Sequence, residues 1–295
     1  MQTQFMRFII LVCFAASAAI SHAAATVVFT NDFDGALPPE ITPGLATLTN
    51  VQGYAGLGPA GNQFGGKFLR SPTGTNVTLT LSNLPPHNAL HISMLFAAID
   101  SLDGTGTYPA GDFFRVTVGT NELDTNVVFR ESFANATPDQ IQSYVAPTNG
   151  VLARRVDLGF SGPGSYYTDS AYDFGVDSRF RNLAHTGPVA VLTFLMEGPG
   201  VQSLDDESWA VDNLAVLATT LPVLVIQDIH VAGTNVSLTW SADTNLVYQV
   251  QSKTNLTDAT WSDLAPPVTA TNLTATFVET VGPGNKFYRV KLVSP

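Results

Sequence analysis

The sequence predicts an all-β protein, a larger β-sandwich followed by a smaller one. Two observations carry that expectation. Apolar residues recur at every second position in short runs, the period of a half-buried strand. The runs are separated by Gly, Pro and Asn clusters, and the chain holds 24 Gly and 18 Pro among its 295 residues. Regular short strands with such punctuation read as a sandwich or jelly roll. Composition excludes other classes. A hydrophobic content of 45% can bury a core, so this is no disordered tail. A net charge of −11 without basic clusters excludes a nucleic-acid surface. The single cysteine, Cys13, excludes a disulfide scaffold.

The N-terminus reads as an export signal. Arg7 is the only charge in the first stretch, and an apolar run from Phe8 to Ile20 follows. That run is short of the ~20 residues a membrane span needs. Ser21-His22-Ala23 supplies small residues at the positions before a cleavage site, so residues 1–23 are expected to be removed after Ala23. The protein would then be secreted, extracellular or periplasmic, without cysteine and without membrane insertion.

The remaining elements follow in order. Thr26 to Phe29 is the first strand. Val77, Leu79 and Leu81 form one stripe, and Leu90, Ile92, Met94, Phe96 and Ala98 a second. Phe114, Val116 and Val118 form a third. Val189 to Met196 is apolar on both parities, which predicts a strand covered on both faces. Trp209 to Val216 is the last strand of the larger sandwich, and its apolar parity switches at Asp212-Asn213, the mark of a bulge. Leu57-Gly-Pro-Ala-Gly-Asn62 and Ser161-Gly-Pro-Gly-Ser165 read as loops. Thr137-Pro138-Asp139-Gln140 has capping-box spacing and predicts one short helix.

Composition shifts near Ala218–Pro222, which divides the chain into 24–218 and 222–295. In the second part Val236-Ser-Leu-Thr-Trp240, Tyr248-Gln-Val-Gln-Ser252, Trp261, Ala275–Val278 and Phe287–Leu292 are short strands, with Trp240 placed as the nucleus of an immunoglobulin-like core. With Asn255-Leu256 and the late Phe287-Tyr288-Arg289-Val290, this segment resembles a fibronectin type III-like module. The first part, through Phe29–Gly35, Asp100–Gly104 and Asp206–Asn213, is similar to exported jelly-roll, lectin-like domains of Verrucomicrobia-like and Planctomycetes-like bacteria. The resemblance implies fold and export more than activity.

Three sets of residues point to chemistry. Asn31, Asp32 and Asp34 follow the first strand, while Asp205, Asp206, Glu207 and Asp212 sit at the last. First and last strands of a jelly roll are commonly neighbours, so these acids are candidate ligands for Ca²⁺, which takes about six to eight hard oxygens. The alternative is a set of solvated turn acids. Asp100, Asp103 and Asp112 form a second set, with Asp100 and Asp112 read as ending adjacent strands. A buried carboxylate needs a partner: backbone amides of the turn are the default, Arg is another, and the remaining reading is a metal or a ligand site with Asp100 and Asp103 among the sugar contacts. The third set is Tyr166, Tyr167 and Tyr172 with Asp169 and Asp173 in a Gly/Ser loop, joined by Tyr108. Aromatics beside carboxylates suit a sugar, whose C–H face stacks while its hydroxyls bond acids. A loop mini-core is the equal alternative.

Catalytic signatures are weak. His87, His91 and His185 lack zinc-motif spacing, and no Gly-x-Ser-x-Gly elbow occurs. Arg154, Arg155, Arg179 and Arg181 are too few for a phosphate groove and are expected to pair with acids. The sequence therefore points to a secreted, non-catalytic binding protein for extracellular polysaccharide, with Ca²⁺ structuring the larger sandwich. A structural or adhesive envelope protein with a protein partner is the rival, and a glycoside-active enzyme the third reading.

Overall fold

The computed structural model describes residues 24–104, 111–121, 123, 126–135, 141–160, 167–199, 202–221 and 224–294. No α-helix occurs among them, only 3-10 turns at Gln52–Tyr54, Phe174–Val176 and Ser178–Phe180. The expected export signal and the helix at Thr137–Gln140 lie outside the described residues. The chain divides into two compact units, Ala25–Thr219 and a second running on from Thr220.

The first unit contains β1 (Ala24–Asn31), β2 (Ile41–Thr42), β3 (Thr47–Asn50), β4 (Lys67–Pro72), β5 (Val77–Leu81), β6 (Ala89–Asp100) and β7 (Asp112–Gly119). It continues with β8 (Val127–Phe133), β9 (Val151–Val156), β10 (Asp169–Asp173), β11 (Leu183–Ala184), β12 (Ala190–Glu197) and β13 (Glu207–Thr220). One sheet of eight strands runs β3-β4-β13-β6-β10-β9, with β1 on β13 and β11 on β6. The other has five strands in the order β2-β5-β12-β7-β8. Successive strands from β4 to β7 alternate between the sheets, the interleaving of a jelly-roll sandwich. The expected pairing of the first strand with the last is present.

The alternating stripes face inward as their period requires. Leu79, Leu90, Ile92, Phe96, Phe114, Val116, Leu192 and Phe194 are fully buried between the sheets. At one end the core becomes aromatic. Phe174 stacks on Phe96 at 4.9 Å and on Phe180 at 5.2 Å, and Phe180 stacks on Phe129 at 5.0 Å. Each such pair adds about 0.5–1.5 kcal/mol to the area term. β12 is central in its sheet, but only one parity is fully buried; Thr193, Leu195 and Glu197 on the other are half-buried. Its double apolar parity thus overstates its cover.

β6 is covered on both faces from Met94 to Asp100. Leu95, Ala97 and Ile99 pack under a second layer built from Val51, Tyr54, Phe64 and Phe68, with Phe160 against it. The segment read as a Gly-rich loop therefore folds back over the large sheet. Gly53 permits this, because a Cβ there would stand 2.7 Å from the Leu158 carbonyl oxygen.

The second unit has β14 (Ile226–Ala232), β15 (Asn235–Ser241), β16 (Val247–Lys253), β17 (Ser262–Thr269), β18 (Thr274–Thr280) and β19 (Phe287–Ser294). They form two three-stranded antiparallel sheets, β14-β15-β18 and β17-β16-β19. Trp240 is fully buried and meets Tyr248 edge-on at 5.9 Å. The Tyr248 hydroxyl accepts from the Asp243 amide at 2.9 Å.

Candidate functional site

The first polar region forms where β1 ends beside β13. The Asn31 side chain accepts from the Phe33 amide at 2.7 Å, and Asp32 accepts from the Asp34 amide at 3.2 Å. Phe33 is fully buried and pins this turn, leaving Asp32 and Asp34 exposed on either side of it. Asp34 accepts from the Lys67 amide at 2.7 Å. Opposite, the β13–β6 register breaks between Asp212 and Ala215, and Asn213 takes φ +49°. The bulge read from the parity switch is there. It turns Asp212 to accept from the Asn213 amide at 2.7 Å and the Gly65 amide at 3.2 Å. Burial pushes the Asp212 carboxyl up to about 7 against the two amide bonds, and repulsion from Asp34 and Asp32 adds to the rise. Beside these acids lies a hollow of about 410 Å³ bordered by Thr30, Asn31, Asp32, Asn62, Ser93 and Asn213.

Asp205 and Asp206 do not join that group. They precede β13, whereas Asp212 lies six residues beyond Asp206, about 20 Å along an extended chain. Asp206 instead accepts from the Ser101 amide at 3.0 Å through its carbonyl and from the Ser101 hydroxyl at 2.9 Å through its carboxylate. Asp205 acts electrostatically on Arg70.

Among the described residues, Asp103, Asp112 and Glu207 bring their ligand oxygens within 4.8 Å of one another. Asp100 and Asp112 were read as ending adjacent strands, but β6 and β7 belong to opposite sheets because the chain crosses between them. That crossing brings Asp112 to Asp103 and Glu207. The Asp103 amide donates to Asp112 at 2.8 Å, and Gln202 Nε2 donates to Glu207 Oε1 at 2.9 Å. Burial raises both the Asp112 and Glu207 carboxyls, and the repulsion between them adds to the rise at Glu207. Sequence reading groups Glu207 with Asp205, Asp206 and Asp212 at the last strand and Asp103 with Asp100 and Asp112, whereas the structure joins Glu207 to Asp103 and Asp112.

The residues read as a sugar site are mostly interior. Asp100, Asp169 and Tyr172 are fully buried, so no glycan reaches them. Asp169 accepts from the Leu158 amide at 2.7 Å and the Asp100 amide at 3.0 Å, and burial pushes its carboxyl up to about 7. Arg70 contacts Asp100 at 3.5 Å, donates to Ser208 Oγ at 2.9 Å and to the Leu204 carbonyl at 2.8 Å, and lies over Phe160 at 4.5 Å. Tyr172 packs on Phe133 and Tyr144 at 5.3 and 5.2 Å, which makes it part of the core. Asp173 accepts from the Gly175 amide at 2.8 Å and caps a 3-10 turn. Tyr167 is half-buried, and Tyr108 and Tyr166 lie outside the described residues.

Two histidines meet across the sequence, and of the arginines Arg179 pairs with acids as expected. His87 Nε2 lies 2.7 Å from His185 Nδ1 despite their distance in sequence. Arg179 pairs with Glu131 at 2.6 Å and Asp177 at 2.7 Å. Arg154 and Arg181 donate to the carbonyls of Ala134 and Gly175.

No family model matches the chain, and no curated protein matches it. Solved structures do. A β-1,2-glucanase from Parabacteroides distasonis aligns with 92% of this chain at 12% identity and a TM-score of 0.21. The match covers 34% of the glucanase, so this chain spans about a third of its length. The N-terminal CBM22 tandem of Paenibacillus barcinonensis Xyn10C aligns with 93% of this chain and 87% of its own at 9% identity, with a TM-score of 0.28. The functional reading rests on the side chains.

Proposed function

We propose that this is an exported, non-catalytic protein that binds extracellular polysaccharide, with Ca²⁺ held at Asp32, Asp34 and Asp212 structuring the larger sandwich. The observation that carries the reading is the hollow beside the Asp212 bulge. Its border of hydroxyl, amide and carboxylate groups matches what sugar hydroxyls exchange hydrogen bonds with. Asp32 on its border, with Asp34 and Asp212 within electrostatic range, offers hard oxygen ligands of the kind Ca²⁺ takes. A cation there offsets the repulsion that Asp32 and Asp34 exert on Asp212. Export rests on the Arg7 and Phe8–Ile20 pattern, and no helix among the described residues is long and apolar enough to cross a membrane. The non-catalytic reading is supported by the burial of the Asp112–Glu207 pair, since Glu207 is fully buried and beyond the reach of a glycosidic oxygen.

The test is retention on a glycan array and on insoluble polysaccharides, with and without a calcium chelator. Retention that falls at least tenfold in Asn62→Ala/Ser93→Ala and after chelation is the expected result. Failure to retain any polysaccharide sinks the reading, and turnover of a retained one replaces it with the glycoside-active reading.

A further inference from the structure

The convergence of Asp103, Asp112 and Glu207 is separate from the Asp212 site. Glu207 opens β13 in the eight-stranded sheet, and Asp112 opens β7 in the five-stranded one. Asp103 follows the end of β6 and bridges to Ala134. Glu207 has no solvent exposure. Gln202 satisfies its Oε1, but Oε2 is buried without a donor, and a hydrogen bond between Glu207 and Asp112 forms only when one of the two carboxyls holds a proton. The charged groups acting on Glu207 are acids: Asp112, Asp103 and Asp206. An uncompensated buried carboxylate costs several kcal/mol. A proton shared between Asp112 and Glu207 removes one of three clustered charges, and a divalent cation removes two.

We propose that Asp103, Asp112 and Glu207 form a Ca²⁺ site that ties the two sheets together at this end of the sandwich. The donor set is three carboxylates with no imidazole or thiolate, which selects a hard cation. The ligand oxygens fall within 4.8 Å of one another, close enough to share one cation. Mg²⁺, at about 2.1 Å, brings opposed oxygens closer and holds most of its water. Glu207 Oε2 supplies the ligand that no protein donor claims. Asp103 and Asp112 stand at the two ends of one β6–β7 connection, so the ion also closes the base of that connection.

The site does not depend on the polysaccharide reading, and the experiment keeps the two apart. Calcium chloride is titrated calorimetrically into the decalcified full chain at neutral pH, in an Asp212→Asn background that disables the other acid group. One saturable binding event is expected there. Adding Asp103→Asn, at a half-buried position, is expected to weaken it about tenfold or more. Adding Glu207→Gln, which keeps the bond from Gln202, is expected to abolish it. Calcium raises the melting temperature of Asp212→Asn but not of the double variant with Asp103→Asn. The proposal is overturned if Asp212→Asn shows no saturable binding, or if Asp103→Asn leaves the isotherm unchanged. Loss of polysaccharide retention with this isotherm intact counts only against the Asp212 reading.

Discussion

Changing Asp169 to Asn separates what a buried carboxylate does for this fold at low and at high pH. Asp169 is fully buried, and its carboxyl sits at about 7 against an ordinary 3.8, chiefly because burial disfavours its charge. The folded state therefore holds the proton more tightly than the unfolded one. Stability is greatest below the ordinary value, falls as pH rises from 3.8 towards about 7, and levels off above. From pH 4.5 to 7 that is about 2.5 pH units at about 1.4 kcal/mol each, so about 3 kcal/mol. Asn cannot ionise and lacks this loss. It keeps an oxygen for the Asp100 amide but turns an NH₂ towards the Leu158 amide, which costs about 1–3 kcal/mol at every pH. Urea unfolding followed by tryptophan fluorescence, in chelator at pH 4.5 and pH 8, gives the difference. The variant is expected to be the less stable protein at pH 4.5 and to gain about 3 kcal/mol on the wild type by pH 8. A gap that stays constant, or widens with pH, refutes the reasoning.

Three further outcomes follow from the packing. Phe174→Ala, which removes a fully buried ring stacked on Phe96 and Phe180, is expected to cost about 3–5 kcal/mol in the same urea assay. Gly66→Ala adds a Cβ against the Asp34 carboxylate at φ +47°; about 1–2 kcal/mol of lost stability and weaker calcium binding at the Asp212 site are expected, the latter read by calorimetry. Burial alone would raise the Asp177 carboxyl, but hydrogen bonds and charge from Arg179 hold it below its ordinary value. Its contribution is present above about pH 4 and lost as pH falls below, so the penalty of Arg179→Met should shrink in acid unfolding experiments at pH 3.

Much of the fold was legible because period-2 patterning reports on a single strand. Leu90, Ile92, Met94 and Phe96 had to share a face, and the parity switch at Asp212-Asn213 had to break the ladder. The site was less legible because convergence depends on which strands meet. Asp205 and Asp206 are close to Asp212 in sequence but about 20 Å away along a straight strand. His87 and His185 are far apart in sequence yet in contact.

Burial followed the same division. Tyr172 and Asp169 look like exposed binding residues beside a Gly/Ser loop, but β10 pairs with β6 in mid-sheet and takes both inside. The all-β class, the interior stripes and the acidity of the strand ends are local properties that the amino-acid order determines by itself. Which acids share one small volume was decided only by the tertiary structure. The crossing from β6 to β7 moves the chain from one sheet to the other, and it carries Asp112 to Asp103 and to Glu207, more than ninety residues further along the chain.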